Sequence, residues 1–214
     1  MPDARPRIFV AIAAYRDKET APTLVDLFAK AAHPERITVG ICWQCIAPED
    51  DAIFPASTRP GQVRYRVFDA RDSSGAGWAR NVSHGLREDE EYTLQLDSHM
   101  RFHRGWDETL LEELAACASP QPVLSTYPAS YEPPDTLSCG VYVLGPAGFD
   151  RDGILTFAGK PIWSPVPVPC PYLAGGLIFA KSRLFDEVPY DPMVYFIGEE
   201  VGLAARAWTR ATPR

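Results

Sequence analysis

Over its first half the chain alternates between two hydrophobic periods. Arg7 to Ala14 is apolar on both faces, as a central parallel strand requires. Ala21 to Ala32 carries Leu24, Leu27, Phe28 and Ala31 at helical spacing, with Pro22 tolerated in the first turn and His33-Pro34 closing it. Ile37 to Trp43 predicts a second strand. After a loop holding Pro48, Pro55, Pro60 and Gly61, Val63 to Phe68 predicts a third, alternating Val63, Tyr65 and Val67 against two arginines. Gly75 and Gly77 then open a helix from about Gly77 to Arg87, whose first N–H groups would point back into the loop. Tyr92 to Asp97 is the fourth strand, and Trp106 to Ala118 the third helix. Strand–helix alternation of this kind predicts an α/β layer structure around a mostly parallel sheet flanked by helices. Ligands in such sheets collect at the carboxyl ends of the strands. Three chemically loaded loops fall there: Tyr15-Arg16, Gly75 to Gly77, and Asp97-Ser98-His99.

The texture changes after residue 119. Eleven of the 21 prolines lie between Pro120 and Pro171, among short strand-like pieces at Val123 to Tyr127, Leu137 to Leu144 and Ile154 to Ala158. Proline is excluded from central strands and helix interiors, so this half reads as irregular, with short antiparallel strands. Order returns with Gly175-Gly176 and the apolar run Leu177 to Ala180, a short helix over Ser182 to Val188, and a last helix from about Glu199 to Trp208. One domain over 1–214 is expected, with a regular half over 1–119 and an irregular half over 120–214.

Composition narrows the function classes. A formal charge of −7 and a pI near 5.1 argue against broad nucleic-acid binding, which needs a basic face. No run reaches the roughly 20 apolar residues of a membrane span. The N-terminal apolar run lacks a signal-peptide layout, so a cytoplasmic protein is expected. Five cysteines in a scattered, odd set do not form a secreted disulfide framework. Cys42 and Cys45 do form a Cys-x-x-Cys, which keeps a thiol-redox reading open beside a plainly structural one.

Asp97 and His99 are two strong metal-ligand types at the end of a buried strand. In an extended backbone they share a side, with Cα atoms roughly 6–7 Å apart, so one divalent ion could take both. On a helix they would diverge by about 200°. Taken alone, the same residues equally describe a capping aspartate and a surface histidine. An oxygen ligand with an imidazole suits Mn²⁺ better than Ca²⁺. Glu199 and Glu200 either complement a helix N-terminus or turn one carboxylate into a cleft. Arg80 either pairs with acids or reaches a diphosphate.

The series Asp97-Ser98-His99, Ala174-Gly175-Gly176-Leu177, Gly198-Glu199-Glu200 and Arg206-Ala207-Trp208 is similar in order and spacing to GT-A-type glycosyltransferases acting on polypeptides. It resembles the mucin-type polypeptide GalNAc-transferases distantly. It resembles more closely the UDP-GlcNAc:polypeptide N-acetylglucosaminyltransferase family of the hydroxyproline-modifying type, through Gly75 to Arg80, Leu94 to Phe102 and Gly198 to Glu200. The resemblance implies a GT-A-like nucleotide-diphospho-sugar transferase fold and retaining transfer of a sugar, GlcNAc by family, from a UDP-sugar donor to a protein or peptide hydroxyl. It implies that Asp97 and His99 hold the metal, and that Tyr15, Arg16 and Arg80 contact the nucleotide. Trp78 would supply an apolar wall, while Gly175, Gly176 and the catalytic-site carboxylate Glu199 or Glu200 line the sugar pocket. Members of this type supply a further metal-ligating histidine after the Gly-Glu-Glu helix. His33, His84 and His103 do not stand in that place, so the domain is expected to be C-terminally truncated, or natively short, or to complete its metal shell with another group. A non-catalytic nucleotide-sugar-binding domain is the alternative.

Overall fold

A computed structural model describes residues 6–211 of the chain; residues 1–5 and 212–214 lie outside it. Strands β1 (Ile8–Tyr15), β2 (Ile37–Cys45), β3 (Val63–Asp69) and β4 (Tyr92–Asp97) form the parallel part of the main sheet. Helices α1 (Thr20–Lys30), α2 (Ala76–His84) and α3 (Trp106–Ala116) occupy the segments where the 3.6-residue period predicts them. The sequence extends α2 to Arg87, but Gly85 stops it. Helix propensity is lowest at glycine among residues other than proline.

Beyond these come β5 (Val123–Ser125), β6 (Tyr131–Glu132), β7 (Thr136–Leu137), β8 (Val141–Phe149), β9 (Leu155–Ile162), β10 (Leu177–Lys181), α4 (Arg183–Glu187) and α5 (Glu199–Ala211). The six-stranded sheet runs β3-β2-β1-β4-β10-β5. Strand β10 is antiparallel to both neighbours, so a reversed strand sits on the flank of β4. The proline-rich stretch forms two separate antiparallel pairs, β6–β7 and β8–β9, as its composition predicts, and contributes only three-residue β5 to the main sheet.

Strand β1 lies at the centre and is buried along most of its length. Its apolar side chains join those of β2, β4, α1 and α3 in the main core, with Ile12, Leu27, Ile41, Trp43 and Leu96 essentially inaccessible. A second core of Ile178, Ala180, Phe185, Val188, Tyr190 and Leu203 joins β10 to α4 and α5. Polar clamps set the helix positions. The Trp106 indole N–H donates to the Leu27 carbonyl, and both Asp107 oxygens accept from the backbone N–H groups of Ala32 and His33.

Cys42 and Cys45 fall three apart on β2, an odd spacing that turns them to opposite faces. Burial pushes the Cys42 thiol up to about 12, and burial with nearby Asp50 raises Cys45 as well. Both are free thiols, and neither the opposed faces nor the raised pKa values support the redox reading. Among the described residues no helix is long and apolar enough to cross a membrane.

The start of α2 is packed backbone to backbone against residues 191–195. A Cβ on Gly77 would lie 2.4 Å from the Val194 carbonyl oxygen and 2.8 Å from that of Asp191. Gly77→Ala should therefore destabilise the fold by about 1–3 kcal/mol, despite alanine's better helix propensity. Gly202 in α5 has nothing within 4 Å of such a Cβ, and Gly202→Ala should stabilise by up to about 1 kcal/mol. Urea unfolding of both variants checks the contrast in sign.

Candidate functional site

The site grows from the match between a helix and a strand. On α2, Arg80 and His84 are one turn apart, about 6 Å along the axis. On β4, Gln95 and Asp97 are two apart on one face, about 6.7 Å. The two pairs lie opposite each other. The Arg80 guanidinium donates to an Asp97 oxygen at 3.3 Å, and His84 Nε2 meets Gln95 Oε1 at 2.9 Å. The Gln95 amide nitrogen then donates to the Gly175 carbonyl and to the Tyr190 hydroxyl, both at 2.7 Å. With the Gln95 oxygen left as acceptor, His84 serves as the donor at Nε2 and is neutral.

Arg80 is buried, and its other nitrogen donates to Glu199 of α5. Burial alone would lower its pKa, but Tyr190, Glu199 and Asp97 hold the guanidinium above its ordinary value. The Tyr190 ring also lies under it, 5.6 Å from centroid to guanidinium carbon. Burial raises Glu199, and Arg80 opposes that rise. Glu199 Oε2 is buried without a hydrogen-bond partner, and the residue lines a cavity of about 70 Å³ with Tyr190, Asp191 and Arg206.

The glycine doublet is needed here for space. A Cβ on Gly175 would sit 2.1 Å from an Arg80 guanidinium nitrogen, and one on Gly176 would sit 2.8 Å from Asp97 Oδ2. Glu200 Oε1 accepts the Gly175 N–H at 2.6 Å. Adjacent helical residues point in different directions, so the sequence leads one to expect only one of Glu199 and Glu200 at the site. Both arrive there because the doublet runs across the first turn of α5: Glu199 reaches it through Arg80, and Glu200 directly.

Beside this junction stands His99, half-exposed. Its Nδ1 lies 2.8 Å from Asp17 Oδ2, which also accepts from Ser98 Oγ at 2.6 Å. Burial works against ionisation of Asp17. Hydrogen bonds from His99, Ser98 and the Glu19 N–H nevertheless bring it down to about 2, and the Asp17 partnership raises His99 above its usual value.

The structure thus brings Asp97, Arg80, Gly175, Gly176, Glu199 and Glu200 together, with His99 alongside. Other expected nucleotide contacts are engaged elsewhere. Arg16, at φ 50°, turns its guanidinium to Asp50 and Glu49. Trp78 packs edge-on against Phe68, with centroids 4.8 Å apart. Tyr15 stands 56% exposed at the end of β1 and free to meet a ligand. The α2 N-terminus is less open than the sequence suggests, because the Tyr195 carbonyl accepts the Ala76 N–H. Asp17, Gln95 and Tyr190 were not singled out by the sequence. Gln95 had a signal: a glutamine inside an otherwise apolar strand, two residues before Asp97.

The donor set fits a divalent ion in part. Asp97 is half-exposed, and among the described residues His99 keeps one ring nitrogen unengaged. Among the described residues no group of three or more His, Cys, Asp or Glu is arranged to hold a metal. An ion placed here would find two protein donors at most, Asp97 and His99.

A mostly parallel sheet with one reversed strand, acidic and glycine-rich at its carboxyl edge, defines an α/β protein of the GT-A type. The chain resembles GalNAc-T7, solved with UDP, GalNAc and Mn²⁺, at TM-score 0.68 and 17% identity over 96% of this chain and 41% of that one. It resembles the mannosyltransferase PcManGT of Pyrobaculum calidifontis, solved with GDP-Man and Mn²⁺, at 0.56 and 15% over 95% and 52%. It resembles S. aureus TarS 1–349 at 0.59 and 16% over 94% and 55%. The chain spans about half the length of these structures. No curated protein matched it significantly in sequence. The family model described as Glycosyltransferase (GlcNAc) matches residues 7–60 and 55–211, and the chain belongs to that family.

The buried imidazole yields a pH signature. Burial depresses His84 to about 4 from an ordinary 6.5. Between those values the unfolded chain binds the extra proton, so stability is lost as pH falls through this window. His84 should account for as much as about 3 kcal/mol of that loss. In urea unfolding from pH 7 to pH 4, the wild-type curve should fall more steeply than that of His84→Gln; parallel curves would contradict the assignment.

Proposed function

We propose that the chain is a metal-dependent retaining glycosyltransferase domain, moving GlcNAc from a UDP donor to a protein or peptide hydroxyl. The observation that carries this is the junction of Asp97, Arg80, the glycine doublet and Glu199 at the carboxyl edge of the sheet, in a chain of the GlcNAc glycosyltransferase family.

On this reading Asp97 and His99 hold Mn²⁺ or Mg²⁺, which when bound supplies Lewis-acid stabilisation of the departing diphosphate. The chain's own residues do the rest. Tyr15 offers an exposed ring to the nucleotide base, and the loop of Arg16 is fixed by Asp50 so that this edge does not need ordering on binding. Arg80 sets the charge of the pocket floor, balancing two carboxylates with one buried cation. Gly175 and Gly176 keep side chains out of the space beside Asp97. One carboxylate, of Glu199 or Glu200, presents an acceptor oxygen to sugar hydroxyls. Departure of UDP leaves an oxocarbenium-like sugar, which the nearby carboxylates stabilise electrostatically. Residues 1–119 form the nucleotide side, and 120–214 the sugar and acceptor side. The hydroxyproline-type acceptor comes from the family likeness of Leu94 to Phe102.

A second reading is favoured by the metal count. With no group of three candidate ligands among the described residues, a pair formed by Asp97 and His99 suits donor binding without transfer. Calorimetric titration with UDP-GlcNAc and Mn²⁺ tests the site. Binding by the wild type and a loss of at least tenfold in Asp97→Ala are expected, and equal binding by the variant would remove the metal assignment. Release of UDP in the presence of a peptide acceptor separates transfer from binding alone.

A further inference from the structure

We propose that Asp17 is a positioning residue of this site: it grips the His99 ring at Nδ1 so that Nε2 is the nitrogen offered to a divalent ion shared with Asp97. The inference rests on reading Asp97 and His99 as metal ligands, and adds the residue that makes the imidazole a competent one.

Asp17 lies in the loop after β1, eighty-two positions from His99 in the chain. Its oxygens are fully committed. Oδ1 accepts the Glu19 N–H at 2.9 Å, and Oδ2 accepts Ser98 Oγ–H at 2.6 Å and faces His99 Nδ1 at 2.8 Å. An ionised carboxylate only accepts, so the proton of the neutral imidazole sits on Nδ1 and Nε2 carries the lone pair. Among the described residues Nε2 has no hydrogen-bond partner. A metal-binding histidine is ordinarily held in this way, by a carboxylate on its far nitrogen.

The rest of the corner is built to keep that grip. Ser98, between the two ligands, is 6% exposed, and its hydroxyl is used on Asp17. Its carbonyl accepts from Thr23 Oγ1 at 2.9 Å, and Thr23 Oγ1 accepts the Met100 N–H at 2.9 Å. Helix α1 thereby fixes the backbone on both sides of His99. One bond further, Arg101, buried at its side chain, reaches Glu19 at 2.7 Å and Asp135 at 2.9 Å, tying the same loop to the β6–β7 hairpin. A half-exposed imidazole gains little stability from so much support. The support makes sense as fixing a tautomer and a ring orientation.

The test is Mn²⁺ binding followed by EPR of the free ion, with histidine tautomers read by two-dimensional ¹H–¹⁵N NMR of the metal-free protein. Wild type, Asp17→Ala, Asp17→Asn and Asp97→Ala are compared at matched folded fraction. The wild type should bind Mn²⁺ and show His99 with its proton on Nδ1. Asp17→Ala should bind about 10–100-fold more weakly, with the proton moved to Nε2. Asp17→Asn, which keeps the volume, should lose several-fold and serves if the alanine variant does not fold. Wild-type affinity in the folded Asp17 variants, with Asp97→Ala impaired, would overturn the role of Asp17 and leave the metal reading standing. Absence of Mn²⁺ binding by the wild type would overturn both.

Discussion

A buried guanidinium is expensive to desolvate, and it persists only where carboxylates surround it. Arg80 is such a group, and the architecture of the candidate site follows from satisfying it. Glu199 is drawn in from the start of α5, Asp97 from the end of β4, and Tyr190 is laid beneath. The three arrive from different parts of the chain and meet at this one cation. The glycine doublet before β10 follows from the same constraint, since any side chain at Gly175 would occupy the place of the guanidinium.

The main sheet supplies the rigid frame. Because α2 runs antiparallel to β4, one helical turn spans nearly the same distance as two strand residues, and Arg80 and His84 meet Asp97 and Gln95 in register. Gln95 extends this contact to Gly175 and Tyr190. The carboxyl edge thus presents acids held by internal partners instead of mobile surface groups. Preorganised charge of this kind is what the proposed transfer would need. Membership of the GlcNAc glycosyltransferase family gives the frame its chemical context.

Much of the fold was legible in the sequence because the first four strands and three helices carry clean periods. Tyr92 to Asp97 matches its strand at both ends. The antiparallel insertion of β10 between β4 and β5 was not legible, since pairing partners leave no local signal in a five-residue apolar run. At the site, Asp97, the doublet and one of the two glutamates were readable from residue type and spacing; the arrival of both was not. Asp17 was not: a polar residue in a loop says nothing about a histidine eighty-two positions away. Arg16 and Trp78 show internal partners that residue type alone does not announce. Their types suit a nucleotide, but Asp50 and Phe68 already hold them.

That Arg80 organises the site is tested most directly by a double-mutant cycle on Arg80→Met and Glu199→Gln, read by urea unfolding. Arg80→Met leaves buried Glu199 without its cation and should cost about 3–5 kcal/mol. The double variant should recover much of that loss, with a coupling of about 1–3 kcal/mol. Losses that add to within about 0.5 kcal/mol would contradict the account, because the site would then stand without the ion pair at its centre.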